Sequence, residues 1–234
     1  MAAAGDPDDL DQLIARVDPD RWLASRFIGD PLARADVIAL YAYDYELGRA
    51  RKAATTPLMA EIRLTWWREA LDEIFEHRPV RRHPTAEALA AAVRRRRLPR
   101  APLEAMIDGW IDIVDTSALA TDQALAFADT VEGSAARLAV AILDPSVPVE
   151  AAGAAGRAWG LALLRRAGLA APEAVDEVLR ASLESARAEA RWLSVAAFPA
   201  VLSVTLARLD LAARDAGPLE KRLRLLAASA TGRL

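Results

Sequence analysis

Apolar residues recur three and four positions apart along most of the chain, and strand-like alternation of Val, Ile and Thr does not extend over a useful length. Val37, Leu40 and Tyr41 follow this helical spacing, and the same face continues to Asp44 and Gly48. We expect this face to point inward. The pattern therefore predicts an all-α protein.

Two dipeptides mark the starts of predicted helices. Asp30-Pro31 and Thr56-Pro57 each place a side chain that can accept a backbone N–H directly before a proline at the first helical position. Residues 144–148 (DPSVP) predict a turn between helices rather than a domain linker. We expect one domain over residues 1–234, with residues 1–10 flexible. The other predicted helices span about residues 20–28, 58–76, 85–96, 101–118, 122–143, 149–168, 173–196, 200–214 and 218–230.

Composition narrows the function classes. The chain has 234 residues, 53% of them hydrophobic, which is enough for one sizeable core. Its net charge of -3 indicates neither nucleic acid nor a strongly anionic partner for the chain as a whole. The absence of Cys excludes disulfides and thiolate chemistry, and His77 and His83 do not suggest a zinc site. The uncharged stretch over residues 193–207 is too short to span a membrane, so we expect a cytoplasmic protein.

Three segments resemble one known family. Residues 21–27 (RWLASRF) followed by 37–43 (VIALYAY) look like the opening of squalene/phytoene synthase family members. Residues 57–71 (PLMAEIRLTWWREAL) are similar to the branch related to the mitochondrial complex I assembly factor of this family. Residues 107–112 and 127–142 (FADTVEGSAARLAVAI) resemble its middle helices, which carry a Tyr and then Val-Ala-Gly. The resemblance implies a single-domain, isoprenoid-synthase-like helical bundle around a central cavity.

The resemblance also implies what is missing. In active members, two facing helices each present Asp at i and i+4, and these acids hold magnesium and diphosphate. Alignment of residues 40–43 places the first acids on Gly48, Arg49 and Lys52, which are neutral, basic and basic. At the second cluster the chain reads Arg166-Ala167 and contains no acid before Glu173. We therefore expect no cofactor, and magnesium only if the protein is an enzyme.

A few acids remain as candidate catalytic residues. Asp108, Asp112 and Asp115 lie at i, i+4 and i+7, a spacing that could recruit magnesium if the stripe faced a cavity. A partly solvated helix face is the alternative. Asp44 is a further candidate, although a lone acid between two tyrosines more often hydrogen-bonds or pairs with an arginine.

Basic residues offer a metal-free alternative. Arg49, Arg51 and Lys52 could bind a diphosphate or lipid phosphate directly, or pair with Glu46 or Glu69. Residues 78–100 are the most basic part of the chain and could touch the inner face of an anionic membrane, or form a solvated linker. No aromatic residues are interleaved with these arginines, so nucleic acid is the weaker interpretation.

The paired tryptophans suggest a protein partner. Arg63, Trp67 and Arg68 are of the residue types that anchor interfaces. Because helical spacing puts Ile62, Trp66 and Ala70 on one stripe, Trp66 is predicted in the core and Trp67 at the surface.

Three functional hypotheses follow. The first is a non-catalytic assembly or scaffold factor, with respiratory complex I as the client that the resemblance indicates. The second is a prenyltransferase that condenses prenyl diphosphates, with Asp44, Asp108 and Asp112 as substitute ligands. The third is an isoprenoid or lipid-binding protein without turnover, in which Arg49 and Lys52 meet the headgroup.

Overall fold

A computed structural model of the chain describes residues 7–234 except 213 and 215. Across these residues the structure is helical and contains no strand, which confirms the all-α prediction. None of the described helices is long and apolar enough to cross a membrane. The α-helices are α1 Pro7–Val17, α2 Pro19–Ser25, α3 Pro31–Lys52, α4 Pro57–Phe75, α5 Pro84–Arg96, α6 Arg100–Asp112, α7 Thr121–Ala128, α8 Ser134–Leu143, α9 Gly153–Arg166, α10 Pro172–Glu189, α11 Val204–Leu211 and α12 Pro218–Thr231.

The two capped starts form as predicted. The Asp30 carboxylate accepts the N–H of Leu32 at 2.9 Å, and the Thr56 hydroxyl accepts the N–H of Met59 at 3.3 Å. Each cap satisfies a backbone donor that has no partner within its own helix. The turn at residues 144–148 also lies where it was predicted, after α8.

Residues 7–10, which the sequence predicted to be flexible, form the first part of α1 in the structure. Leu10 and Ile14 are one turn apart and are buried in the core, where α1 packs against α3. The Asp11 carboxylate accepts the indole N–H of Trp22 at 2.9 Å and pairs with Arg26 at 2.5 Å. These contacts hold α1 in place. Residues 1–6 lie outside the described residues.

Several later helices are shorter than predicted. Helix α6 ends at Asp112 rather than near residue 118, α10 ends at Glu189 rather than 196, and α11 covers only Val204–Leu211 of the predicted 200–214. The predicted helix over 122–143 is interrupted by a π-helical turn, Asp129–Gly133, between α7 and α8. Apolar spacing alone does not register such a turn, because a π-turn changes the backbone hydrogen bonds and does not require particular residue types.

Helix α9 packs unusually close to this π-turn. A Cβ atom added at Gly156 would lie 2.4 Å from the carbonyl oxygen of Glu132 and 2.7 Å from the Cα of Gly133. One turn later, a Cβ at Gly160 would lie 2.9 Å from the Cβ of Ala128. Such distances leave no room for a side chain. The glycines of α9 therefore allow the backbone contact that places Glu132 in the interior.

Candidate functional site

The resemblance places the first acid cluster on residues 48–52 of α3. In the structure these residues point in different directions. A Cβ added at Gly48 would lie 3.1 Å from the Trp110 ring, which itself packs edge-on against Phe127 at 4.8 Å. Arg49 is exposed and pairs with Glu46 at 2.8 Å. Thus an aromatic side chain occupies the space into which an acid at position 48 would extend.

Arg51 and Lys52 do not join Arg49 in a single anion site. The Arg51 guanidinium donates to the carbonyl oxygen of Ile113 at 3.1 Å and to that of Thr116, so it caps the end of α6. Lys52 is exposed at the last residue of α3. Arg51 thus has backbone partners in the structure, and its role in anion binding stays a prediction.

The interior holds an ionic cluster centred on Arg21. Its guanidinium pairs with Asp44 at 2.6 Å, with Glu132 at 2.9 Å and with Asp18, and it lies 4.7 Å above the Tyr41 ring. The side chains of Arg21, Asp44 and Glu132 are each less than a tenth exposed. Asp44 therefore pairs with an arginine, the alternative that we preferred on sequence grounds, whereas Glu132 and Asp18 were not anticipated.

Three carboxylates around one cation leave an excess of negative charge in a dry environment. Burial raises the pKa of Glu132 well above its ordinary range, the Arg21 guanidinium opposes that rise, and the neighbouring Asp44 carboxylate adds to it. Oδ1 of Asp44 is buried and has no hydrogen-bond partner among the described residues. A proton on Glu132 can satisfy that oxygen, since the protonated acid becomes a donor.

The pocket beside this cluster is small. Its volume is about 20 Å³, and its walls include Arg21, Glu132 and Trp159. A single water needs about 10 to 15 Å³, whereas pockets that take organic ligands span roughly 300 to 1,000 Å³. The space beside the ionic cluster is thus large enough for a water molecule and too small for an organic ligand.

The remaining candidate acids do not converge. Asp108 is exposed and pairs with Arg68 of α4. Asp112 and Asp115 are also exposed, and Asp115 falls beyond the end of α6, which breaks the predicted stripe. Within the described ranges, no three His, Cys, Asp or Glu side chains are placed to hold a metal ion. Asp44, Asp108 and Asp112 therefore do not form the magnesium site that the enzyme hypothesis requires.

The second expected acid position, at the end of α9, is also basic. Arg166 pairs with Asp210 at 2.6 Å and with Asp20 at 3.2 Å, and its guanidinium lies 4.8 Å from the Trp159 ring. Asp20 is further paired with Lys221 of α12 at 2.8 Å. These pairs connect α9, α11, α12 and α2, so this end of α9 is held by ion pairs between helices.

Much of the basic charge of residues 78–100 is paired with acids of the same chain. Its arginines pair with acids on α3, on α4 and on α6, and the pairs are Arg81 with Glu73, Arg95 and Arg96 with Asp36, and Arg100 with Asp72 and Glu104. Arg94 and Arg97 are exposed. Membrane contact through this region stays a prediction, with less free charge than the sequence indicates.

A pocket of about 370 Å³ opens between α3 and α4, away from the central cluster. It combines charged side chains with aromatic walls, and its lining consists of Glu46, Arg49, Ala50, Ala53, Ile62, Arg63, Trp66, Trp67 and His83. Two predicted candidates, Arg49 and Arg63, thus share one concave surface that sequence spacing did not connect.

The prediction for the two tryptophans is wrong. Trp67 is 4% exposed and packs edge-on against Tyr43 at 5.4 Å, whereas Trp66 is only partly buried and Ile62 is 54% exposed. The buried stripe of α4 runs through Ala60, Leu64, Trp67, Leu71 and Ile74. This buried stripe and the predicted stripe through Ile62 and Trp66 both have three-and-four spacing. Contact with α3 decides which of them is buried.

The helical arrangement is that of an isoprenoid-synthase-like bundle. A solved dehydrosqualene synthase in complex with ligand matches with a TM-score of 0.77, covering 96% of this chain and 95% of that chain at 14% identity. Squalene synthase HpnC from Alicyclobacillus acidocaldarius matches with a TM-score of 0.67, covering 97% and 94% at 15% identity. Identities this low show a shared fold. No curated protein sequence matches the chain.

A family model described as squalene/phytoene synthase matches residues 14–173, more than half of the chain. The chain therefore belongs to the squalene/phytoene synthase family.

Proposed function

We propose that this chain is a non-catalytic member of the squalene/phytoene synthase family that acts as an assembly or scaffold factor. The observation that carries the proposal is the Trp110 ring, 3.1 Å from where a Cβ at Gly48 would stand, at the position the resemblance assigns to the first acid. Magnesium diphosphate needs oxygen ligands, whereas position 48 is a glycine against the Trp110 ring and Arg49 and Lys52 carry no oxygen ligand in their side chains.

The buried cluster adds a second line of support. Arg21 and Glu132 line the central pocket of about 20 Å³, and Asp44 is engaged by Arg21. A prenyl chain would have to displace these groups and leave unpaired charges in the core, which costs several kcal/mol per ion. The interior therefore serves the stability of the fold better than it serves turnover.

Turnover is the direct test of this proposal. The purified chain is incubated with prenyl diphosphates and magnesium, beside an active dehydrosqualene synthase as the positive control, and the organic extract is analysed by mass spectrometry. We expect no condensation product from this chain. Magnesium-dependent formation of a condensed hydrocarbon would refute the proposal and establish the prenyltransferase alternative.

The client is inferred from the similarity of residues 57–71 to the complex I assembly branch. We expect that deletion of this chain in its own host lowers the amount of assembled respiratory complex I on native gels, while another respiratory complex is unchanged. Re-expression of the native chain should restore the level. An unchanged amount of complex I in the deletion strain would exclude this client.

A further inference from the structure

We propose that the pocket between α3 and α4 binds a phosphate monoester carried on a short apolar body. The volume of about 370 Å³ lies in the range of pockets that take small organic ligands. This pocket is separate from the one beside the Arg21 cluster, because the two pockets share no lining residue. The inference goes beyond the scaffold role and does not depend on it.

The cations at this pocket outnumber the acids. Arg49 and Arg63 line it together with a single carboxylate, Glu46. Glu46 forms an ion pair with Arg49, whereas Arg63 has no carboxylate within ion-pair distance among the described residues. Planar guanidinium groups bind phosphate oxygens through paired hydrogen bonds, so this excess of positive charge suits a dianionic phosphate.

The His83 ring completes the aromatic side of the pocket. His83 lines the pocket, and its ring stands edge-on to Trp66 at 5.5 Å and to Trp67 at 5.2 Å. Its Nδ1 atom is buried without a hydrogen-bond partner in the described part of the chain. Buried polar atoms are rarely left unpaired in native structures. Because Nδ1 is closed off from solvent, it does not face the open space of the pocket, and the His83 ring contributes to the pocket as part of its aromatic wall.

The rest of the lining is apolar. Trp66, Trp67, Ala50 and Ala53 form walls that can cover a short hydrocarbon chain. At the rim, Ile62 is 54% exposed, and Leu58 on the same helix is 65% exposed. The exposed apolar rim suits a phosphate that is carried by a lipid in a membrane. The apolar walls inside the pocket suit a soluble phosphate ester. The ligand chemistry is the same in both cases.

Hexyl phosphate is the probe for the shared chemistry. It is titrated into the full chain, and binding is followed by calorimetry and by the indole N–H signals of the pocket tryptophans. We expect saturable binding with Kd below about 1 mM, and at least a tenfold weaker Kd for Arg63→Gln. Arg94→Gln, an exposed arginine of α5, removes the same charge elsewhere and should leave Kd unchanged. Absence of saturable binding, or equal Kd values for both variants, would overturn the proposal.

Vesicles separate the two sources of the phosphate. The chain is sedimented with phosphatidylcholine vesicles, with and without phosphatidic acid. Cosedimentation that requires phosphatidic acid and is lost in Ile62→Ser, with hexyl phosphate binding retained, supports the site and identifies the ligand as a lipid. Binding of hexyl phosphate without cosedimentation supports the site and identifies the ligand as a soluble ester.

The outcomes for this pocket and for the scaffold role are independent. Condensation of prenyl diphosphates would refute the non-catalytic proposal and leave the hexyl phosphate result standing. Failure of hexyl phosphate to bind, in a chain that also lacks turnover, would overturn the pocket alone.

Discussion

The ionic cluster around Arg21 gives the sharpest test of the interior. Arg21→Met keeps much of the apolar stem but removes the cation that contacts Asp18, Asp44 and Glu132. Asp44 and Glu132 are then left buried without their charge partner, since their side chains are only 5% and 6% exposed. The variant thus isolates the contribution of one charge.

The size of the loss follows from burial. Removing one partner of a buried ion pair costs about 3–5 kcal/mol in free energy of unfolding. A value near the lower end, about 3 kcal/mol, is expected, because Glu132 can take up a proton and Asp18 keeps its hydrogen bond to the backbone N–H of Arg21. That is a large part of the roughly 5–15 kcal/mol that stabilises a typical domain.

The loss should depend on pH. Without the guanidinium, the native-state pKa of Glu132 rises further above that in the unfolded chain, so the native state binds more protons at intermediate pH. Stability then falls as pH rises. The difference between native chain and variant is therefore larger at about pH 8 than at about pH 5.

Urea unfolding followed by circular dichroism at both pH values measures the effect. Arg94→Met, at an exposed position, is the matched control and should stay within about 0.5 kcal/mol of the native chain. A loss for Arg21→Met below about 1 kcal/mol, or an equal loss at both pH values, would refute the reasoning.

Three further changes test the same structure. Glu132→Gln should be at least as stable to urea as the native chain above neutral pH, and its stability should depend less on pH. The native-state pKa of Glu132 is raised, so its protonated form adds stability at low pH that is lost as pH rises. An unchanged dependence of the unfolding free energy on pH would contradict this. Gly156→Ala should lower the free energy of unfolding by about 1–3 kcal/mol, because its Cβ would lie 2.4 Å from a backbone oxygen. Gly29→Ala, whose Cβ would have no atom within 4 Å, is the control and should not show this loss from steric overlap. Trp67→Ala should cost about 3–5 kcal/mol in a thermal or urea melt, and a similar cost for the 61% exposed Trp192→Ala would show that burial is not the cause.

The helix starts and the class of fold were predictable, since capping residues and apolar spacing act over a few neighbouring positions. Asp30 and Thr56 cap helices because their partners lie two or three residues away. The resemblance to the squalene/phytoene synthase family was equally local, as it rested on short continuous segments, and the family match confirms it.

The candidate site was less predictable, since its members are far apart in the chain. Arg21 and Glu132 are separated by 111 residues, and no periodic pattern connects them. One signal was present, because Glu132 stands where the family pattern has the alanine of Val-Ala-Gly, and an acid in an apolar run requires a partner. Which of 30 basic residues supplies that partner does not follow from spacing.

The amino-acid sequence by itself determined the helical class and the capped helix starts, because each depends on residue type and near neighbours. Tertiary structure alone decided that Trp67 is buried instead of Trp66, and that Arg49 and Arg63 share a pocket. Two stripes of α4 fit the same helical period, so the choice between them belongs to the packing of α4 against its neighbours.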